Sequence, residues 1–107
     1  MNICTAFNAG RLTIYLSGEL DHHEARSAIH AIEELLDEYL PRDCVLDMSA
    51  LSFMDSSGIA VVINSIRKMS RINGELMLSG LNEQPRKVFF AAGIEQLVKI
   101  KEVKNEV

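Results

Sequence analysis

The stretch from Leu51 to Ala60 constrains the fold more than any other part of the chain. An apolar segment gives way to Asp-Ser-Ser-Gly at 55–58, and apolar side chains then recur at the spacing of an amphipathic helix. Those apolar positions are Ile59, Val62, Ile63, Ile66 and Met69. Because Asp is a favoured N-cap, Asp55 is predicted to cap this helix and Ser56 to be its first helical residue. Gly58 has no Cβ, which indicates that another group approaches the backbone closely from outside.

The start of this helix is a favourable place for negative charge. The first backbone N–H groups of a helix have no intrahelical partner, and the helix dipole adds partial positive charge there. A phosphate on the hydroxyl of Ser56 would therefore be stabilised. The same pattern also fits an ordinary helix capped by two hydroxyl side chains, Ser56 and Ser57, without a regulatory role.

Composition indicates one globular domain that spans 1–107. The chain is 48% hydrophobic and 24% charged, which is usual for a protein that folds around a single core. Its net charge of −4 gives no electrostatic reason to bind nucleic acid or an anionic membrane. Cys4 and Cys44 lie far apart without metal-ligand spacing, so we expect reduced thiols in a cytoplasmic protein. Neither a signal peptide nor a membrane span is expected.

The residues before Leu51 predict two strands, a helix and a third strand. The strands at 3–7 and 11–17 flank Asn-Ala-Gly and form a β-hairpin. In the following loop, 18–23, Asp21 and Glu24 have the spacing of a capping box for a long helix that ends before Pro41. A short strand at 44–48 then leads into the Asp-Ser-Ser-Gly loop.

The residues after Ala60 predict two further strand and helix pairs. The capped helix continues to about Arg71, a strand follows at 76–78, and 79–82 form a loop. A third helix has Pro85 near its first turn and Gly93 just beyond its end. The last strand is predicted at 97–100, and 101–107 are predicted to be a frayed tail.

This order, ββαβαβαβ, predicts an α/β domain with a mixed, largely parallel sheet and right-handed crossovers. Loops at the carboxyl ends of parallel strands share one edge of a sheet, where partners and ligands usually bind. The loops at 18–23, 49–57 and 79–83 should therefore share that edge. Asp21, His22 and Ser56 are accordingly predicted to be neighbours.

Three segments together resemble one family. They are Gly-Glu-Leu-Asp-His-His at 18–23, Leu-Ser-Phe-Met-Asp-Ser-Ser-Gly-Ile at 51–59 and Asn-Gly-Glu-Leu-Met-Leu at 73–78. The chain resembles STAS-domain anti-sigma factor antagonists, the family of the sporulation anti-anti-sigma factor. The resemblance implies no enzyme activity and no cofactor. It implies that Ser56 is phosphorylated by an anti-sigma factor serine kinase and dephosphorylated by a PP2C-type phosphatase.

The resemblance also implies how such a regulator acts. Unmodified protein would bind the kinase and release a sigma factor for transcription, whereas phosphorylated protein would not bind. We expect the free protein to be a monomer. The partner-binding residues are predicted to be Asp21, His22, Met54, Asp55, Ser56, Ser57 and Gly58.

Two departures from the family pattern leave the regulatory pathway open. Ala60 stands where the sporulation protein has a second Gly, and the tail is short for a full terminal helix. An alternative is a STAS interaction module in another partner-switching complex. Ser56 would then be modified by a different kinase or not at all.

The sequence offers two other kinds of candidate site. Asp21, His22 and Ser56 could form a hydrolase site, but the chain has no Gly-x-Ser-x-Gly motif and no evident oxyanion site. His22 and His23 could bind metal, but no third ligand stands at a useful spacing.

For the basic residues of the second helix and for Met54, the sequence predicts an ordinary structural role and leaves a binding role open. Arg67, Lys68 and Arg71 are predicted to form a solvated helix face, although this face could meet an acidic partner. Met54 is predicted either to pack within the domain or to insert from the loop into a partner.

Overall fold

The computed structural model describes residues 1–101. It contains, in order, β1 (Asn2–Asn8), β2 (Arg11–Leu20), α1 (His22–Tyr39), β3 (Asp43–Met54), α2 (Ser57–Arg71), β4 (Glu75–Ser79), α3 (Glu83–Ala91) and β5 (Lys99–Lys101), with a 3-10 helix at Ile94–Gln96. The predicted order of strands and α-helices is confirmed. Within the described range, no helix is long and apolar enough to cross a membrane.

The five strands form one sheet in the order β1-β2-β3-β4-β5. β1 and β2 are antiparallel, and each later pair is parallel. The predicted hairpin closes at the pair Asn8 and Arg11. Its two turn residues, Ala9 and Gly10, have φ values of 52° and 82°, as a two-residue type I′ turn requires.

The core lies between one face of the sheet and the helices. Alternate side chains of β2, β3 and β4 are buried, as expected for strands with one covered face. The fully buried strand residues include Leu12, Ile14, Leu16, Leu46, Met48 and Leu78, and the helices add Ala28, Leu36, Val61, Val62 and Phe89. Burial raises the pKa of the Cys44 thiol to about 12, so this cysteine is an unreactive core residue.

β2 and β3 extend further than the sequence pattern predicted. The ten residues of β2 lie opposite the twelve of β3, with register shifts between Tyr15 and Ser17 and between Gly18 and Glu19. Each shift places an extra residue in β3, which is a β-bulge, and bulges interrupt the alternation that identifies a strand. The loops expected at 18–23 and 49–57 are therefore wrong.

The other boundary errors are small. The last strand begins at Lys99 rather than at Leu97, because the N–H groups of Leu97 and Val98 donate to the carbonyl of Ile94 and continue the turn of the 3-10 helix. Lys101 belongs to β5 and not to a tail, while 102–107 of the predicted tail lie outside the described residues. α1 ends as predicted before Pro41, with Leu40 in the left-handed region at φ 43°.

Candidate functional site: two adjoining helix starts

The starts of α1 and α2 lie side by side at the carboxyl edge of the sheet. Leu20 and Met54 are the last paired residues of β2 and β3, and the N–H of Asp55 donates to the carbonyl of Leu20 at 3.2 Å. Because both strands end together, Asp21 and Asp55 occupy equivalent positions, each leading into a helix. The predicted neighbourhood thus forms through two tight connections instead of long loops.

Asp21 is the N-cap of α1, as predicted. Its Oδ1 accepts from the N–H groups of His23 at 3.0 Å and of Glu24 at 3.1 Å. The other half of the capping box is absent, since the Glu24 carboxylate instead lies 3.8 Å from the amino group of Met1. Both cap bonds use Oδ1, so Oδ2 of Asp21 is not engaged in the cap.

Asp55 joins the two helix starts through its two carboxylate oxygens. Oδ1 accepts from the N–H of Ser57 at 2.8 Å, which caps α2. Oδ2 accepts from the N–H of His22 at 3.1 Å and lies 3.8 Å from its Nδ1. The N–H of Ser57 is the main cause that lowers the pKa of Asp55 from its ordinary value, and the Ser57 hydroxyl and then the N–H and imidazole of His22 add to it.

Ser56 is exposed at the start of α2, whereas Ser57 is half-buried. The assigned helix begins at Ser57, one residue later than predicted, but Ser56 already has helical dihedrals of −63° and −16°. Its carbonyl accepts from the N–H of Ile59 at 3.1 Å, and its hydroxyl makes no capping bond. The cap comes from Asp55, so the Ser56 hydroxyl stays available.

Met54 is fully buried and packs under Gly58, so of the two alternatives predicted for this residue, the structure shows packing within the domain and not an exposed side chain. The side chain follows the buried face of β3 because β3 continues to this residue. A Cβ built on Gly58 would lie 2.3 Å from Met54 Sδ and 2.4 Å from Cγ. The close approach to Gly58 therefore comes from the core and not from outside.

Two amide side chains of α3 and its cap were missed by the sequence analysis. Gln84 Oε1 accepts from the N–H of Met54 at 2.8 Å, and Gln84 Nε2 donates to the carbonyl of Met54 at 2.7 Å. Asn82 Nδ2 donates to the carbonyls of Ser49 and Leu51, each at 3.0 Å. No sequence pattern signalled these contacts, because polar residues at a helix start ordinarily face water.

Phe53 is a third residue that the sequence analysis did not single out. Its side chain is 41% exposed, and it precedes the buried Met54 on the alternate side of β3. Large exposed aromatic side chains are enriched where proteins bind one another. The signal is present in Leu-Ser-Phe-Met, but the sequence pattern predicts a loop at these residues.

The basic residues of α2 only partly form a solvated face. Lys68 contacts Asp37 at 2.6 Å and joins α2 to α1, and its side chain is only 19% exposed. Arg71 lies exposed at the end of the helix.

The imidazole of His22 pairs with Asp55 and not with Asp21. Its Nδ1 lies 3.8 Å from Oδ2 of Asp55, whereas the predicted hydrolase site would need Asp21 to orient His22.

Comparison with known proteins identifies the family. The family model for the STAS domain matches residues 2–107. This chain belongs to the STAS domain family. It is 30% identical over 91 residues to an anti-sigma F factor antagonist of Paenibacillus polymyxa, covering 85% of this chain and 78% of that protein. It is 26% identical over 98 residues to an anti-sigma-B factor antagonist of Listeria monocytogenes, covering 89% and 82% respectively.

Solved structures agree with this placement of the STAS domain. The anti-sigma factor antagonist SpoIIAA in its unphosphorylated form superimposes with a TM-score of 0.81 at 25% identity, covering 97% of this chain and 90% of that chain. The Bacillus cell fate determinant SpoIIAA in the phosphorylated form gives a TM-score of 0.73 at 25% identity, covering 97% of this chain and 93% of that chain. The resemblance drawn from the three sequence segments is confirmed.

Proposed function

We propose that this STAS domain is an anti-sigma factor antagonist controlled by phosphorylation of Ser56. Unmodified, it binds an anti-sigma factor serine kinase in the cytoplasm and frees a sigma factor; phosphorylated, it is released, and a PP2C-type phosphatase resets it. The observation that carries the proposal is the exposed hydroxyl of Ser56 at the positive end of α2. A kinase supplies its own catalytic base and metal, so the substrate needs only an exposed and well-placed hydroxyl.

The switch is local and electrostatic. Phosphorylation adds about −1.5 to −2 of charge, and the helix start offsets roughly 0.3 to 2 kcal/mol of its cost. Because the Ser56 hydroxyl makes no capping bond, its modification breaks no bond of the helix cap. In a complex, the same phosphate would be desolvated close to the Asp55 carboxylate, where an unpaired charge costs several kcal/mol. Each 1.4 kcal/mol is tenfold, so binding should fall by about two decades or more.

The partner surface that supports this function is smaller than the predicted set of residues. Asp21, His22 and Ser56 stand at the surface of the two helix starts, and Phe53 adds an exposed aromatic ring. Oδ2 of Asp21 could meet a basic group of the kinase, since the cap bonds use only Oδ1. Met54 and Gly58 support this surface from beneath, with Asp55 and Ser57 forming the cap.

The alternative is a STAS module of a different partner-switching complex, with another kinase or none. Affinity capture from a lysate of the source organism, with and without ATP, separates the two. An anti-sigma factor kinase that is retained without ATP and released with ATP supports the proposal. Retention of partners that do not respond to ATP would favour the alternative.

The acceptor is tested with Ser56→Ala, Ser56→Asp and the matched control Ser57→Ala. Calorimetry against the captured kinase should show tight binding for Ser56→Ala and strongly weakened binding for Ser56→Asp. Only Ser57→Ala should still be released by ATP, and phosphopeptide mapping should find phosphate on Ser56. Phosphate on Ser57 alone, or Ser56→Asp binding as tightly as the unmodified protein, would contradict the proposal.

A further inference from the structure

Among residues 1–101, the part of β3 that leads to Ser56 pairs with a strand on only one of its sides. β4 pairs with β3 only as far as Asp47, which lies opposite Ser79, while β2 continues along the other side to Met54. Buried backbone N–H and C=O groups that lose their strand partner must find another. The side chains of α3 and its cap supply that partner.

Gln84 replaces the missing strand at Met54. The amide accepts from the N–H of Met54 at 2.8 Å and donates to the carbonyl of the same residue at 2.7 Å. These two bonds reproduce what a neighbouring strand would make to one residue. Asn82 holds the carbonyls of Ser49 and Leu51 further back along β3.

Met54 is the last residue before the acceptor loop, and it is anchored on both its backbone and its side chain. Gln84 fixes the backbone, while the buried thioether packs under Gly58 in the first turn of α2. Asp55 and Ser56 follow directly. A change at Gln84 would therefore shift the backbone from which Ser56 is presented, without touching the surface around Asp21 and His22.

We infer that Gln84 is a positioning residue for phosphorylation of Ser56. Its amide holds Met54 so that the Ser56 hydroxyl meets the kinase in one fixed geometry, and α3 thereby controls the rate of modification. This inference rests on the function proposed above. Loss of the amide should lower the rate of phosphoryl transfer rather than the affinity, because misplacing a reacting group by about 1 Å can cost on the order of a hundredfold in rate.

The test measures kcat and KM for phosphorylation of the full chain by the captured kinase. We expect Gln84→Ala to lower kcat about tenfold with KM changed less than about threefold. Gln84→Glu keeps an acceptor for the Met54 N–H but cannot donate to its carbonyl, so kcat should fall as well. Lys87→Ala, which removes an exposed pair between Lys87 and Glu83 on the same helix, is the matched control and should leave kcat unchanged.

Amide hydrogen exchange of the free protein separates positioning from general instability. In Gln84→Ala the Met54 amide should exchange faster and the urea midpoint should fall modestly, because two backbone groups lose their partner, while exchange in α1 stays as in the parent protein. Equal kcat for Gln84→Ala and the parent would overturn this inference and leave the proposed function unaffected. A fall in kcat matched by faster exchange throughout the domain would also overturn it. Absence of phosphate on Ser56 in the parent protein would overturn both this inference and the proposed function.

Discussion

The two helix starts at the carboxyl edge of the sheet look alike in sequence but are built differently. Each follows the last paired residue of a strand and begins with an aspartate. Asp21 makes both cap bonds within its own helix, to His23 and Glu24. Asp55 divides its oxygens between Ser57 of α2 and His22 of α1. The first aspartate thus stabilises one helix, and the second fixes the two helices relative to each other.

The support beneath the two starts also differs. Three residues after Asp55, Gly58 is buried directly above the Met54 side chain. Three residues after Asp21, Glu24 carries a carboxylate that is 42% exposed. The start of α2 is therefore packed against the core at Gly58, whereas α1 carries a half-exposed carboxylate at the equivalent position.

The largest expected effect compares Gly58→Ala with Glu24→Ala. Alanine normally improves a helix by roughly 0.5 to 1 kcal/mol over glycine. At Gly58 the added Cβ would meet the buried Met54 at 2.3 Å, so we expect a net loss of about 1 to 3 kcal/mol in the free energy of unfolding. Glu24→Ala should stay within about 0.5 kcal/mol of the parent. Urea denaturation measures both, and a Gly58→Ala protein as stable as the parent would contradict the packing argument.

The next comparison is Asp21→Ala against Asp55→Ala. Loss of the α1 cap should lower stability by about 1 kcal/mol, with faster amide exchange confined to the first turn of α1. Asp55→Ala should speed exchange at both His22 and Ser57, because it removes an acceptor from each. Residue-resolved hydrogen exchange by NMR tests this. Unchanged exchange at His22 in Asp55→Ala would show that the two starts are independent.

The smallest expected effect is the pH dependence that Asp55 contributes. Its pKa is lowered in the folded protein, so the unfolded chain binds the proton more tightly. The stabilisation is fully present above the ordinary carboxyl pKa of about 4 and is lost as pH falls through the lowered value. Stability relative to Asp55→Asn should therefore shrink as pH falls below about 4. A stability difference between the parent protein and Asp55→Asn that increased as pH fell would contradict this prediction.

Local chemistry made most of the fold and half of the site predictable. The hairpin turn, the Asp21 cap and the helix after Asp55 each depend on residues within a few positions of one another. The exposed Ser56 also follows from its place in the first turn. Such features can be read from sequence because the interacting groups are close along the chain.

The errors arose where distant residues decide the structure. The β-bulges in β3 have no signature of their own, and they hid the strand that carries Met54 into the core. Gln84 contacts Met54 from 30 positions away along the chain, so no local sequence pattern predicts this hydrogen bond. Tertiary pairing overrode local pattern at both places.

The bulges of β3 also determine which changes in chain length before Ser56 the fold can accommodate. β3 uses twelve residues opposite the ten of β2 and still ends beside it. Each bulge holds two successive exposed residues, Ser49 with Ala50 and Ser52 with Phe53, so deleting one residue of such a pair would remove the bulge and leave Met54 facing the core. Deleting one residue between Asp43 and Asp47, where β3 alternates regularly, would instead exchange the inward and outward side chains there. Chain length should accordingly tolerate change better at the bulges than in the regular part of the strand.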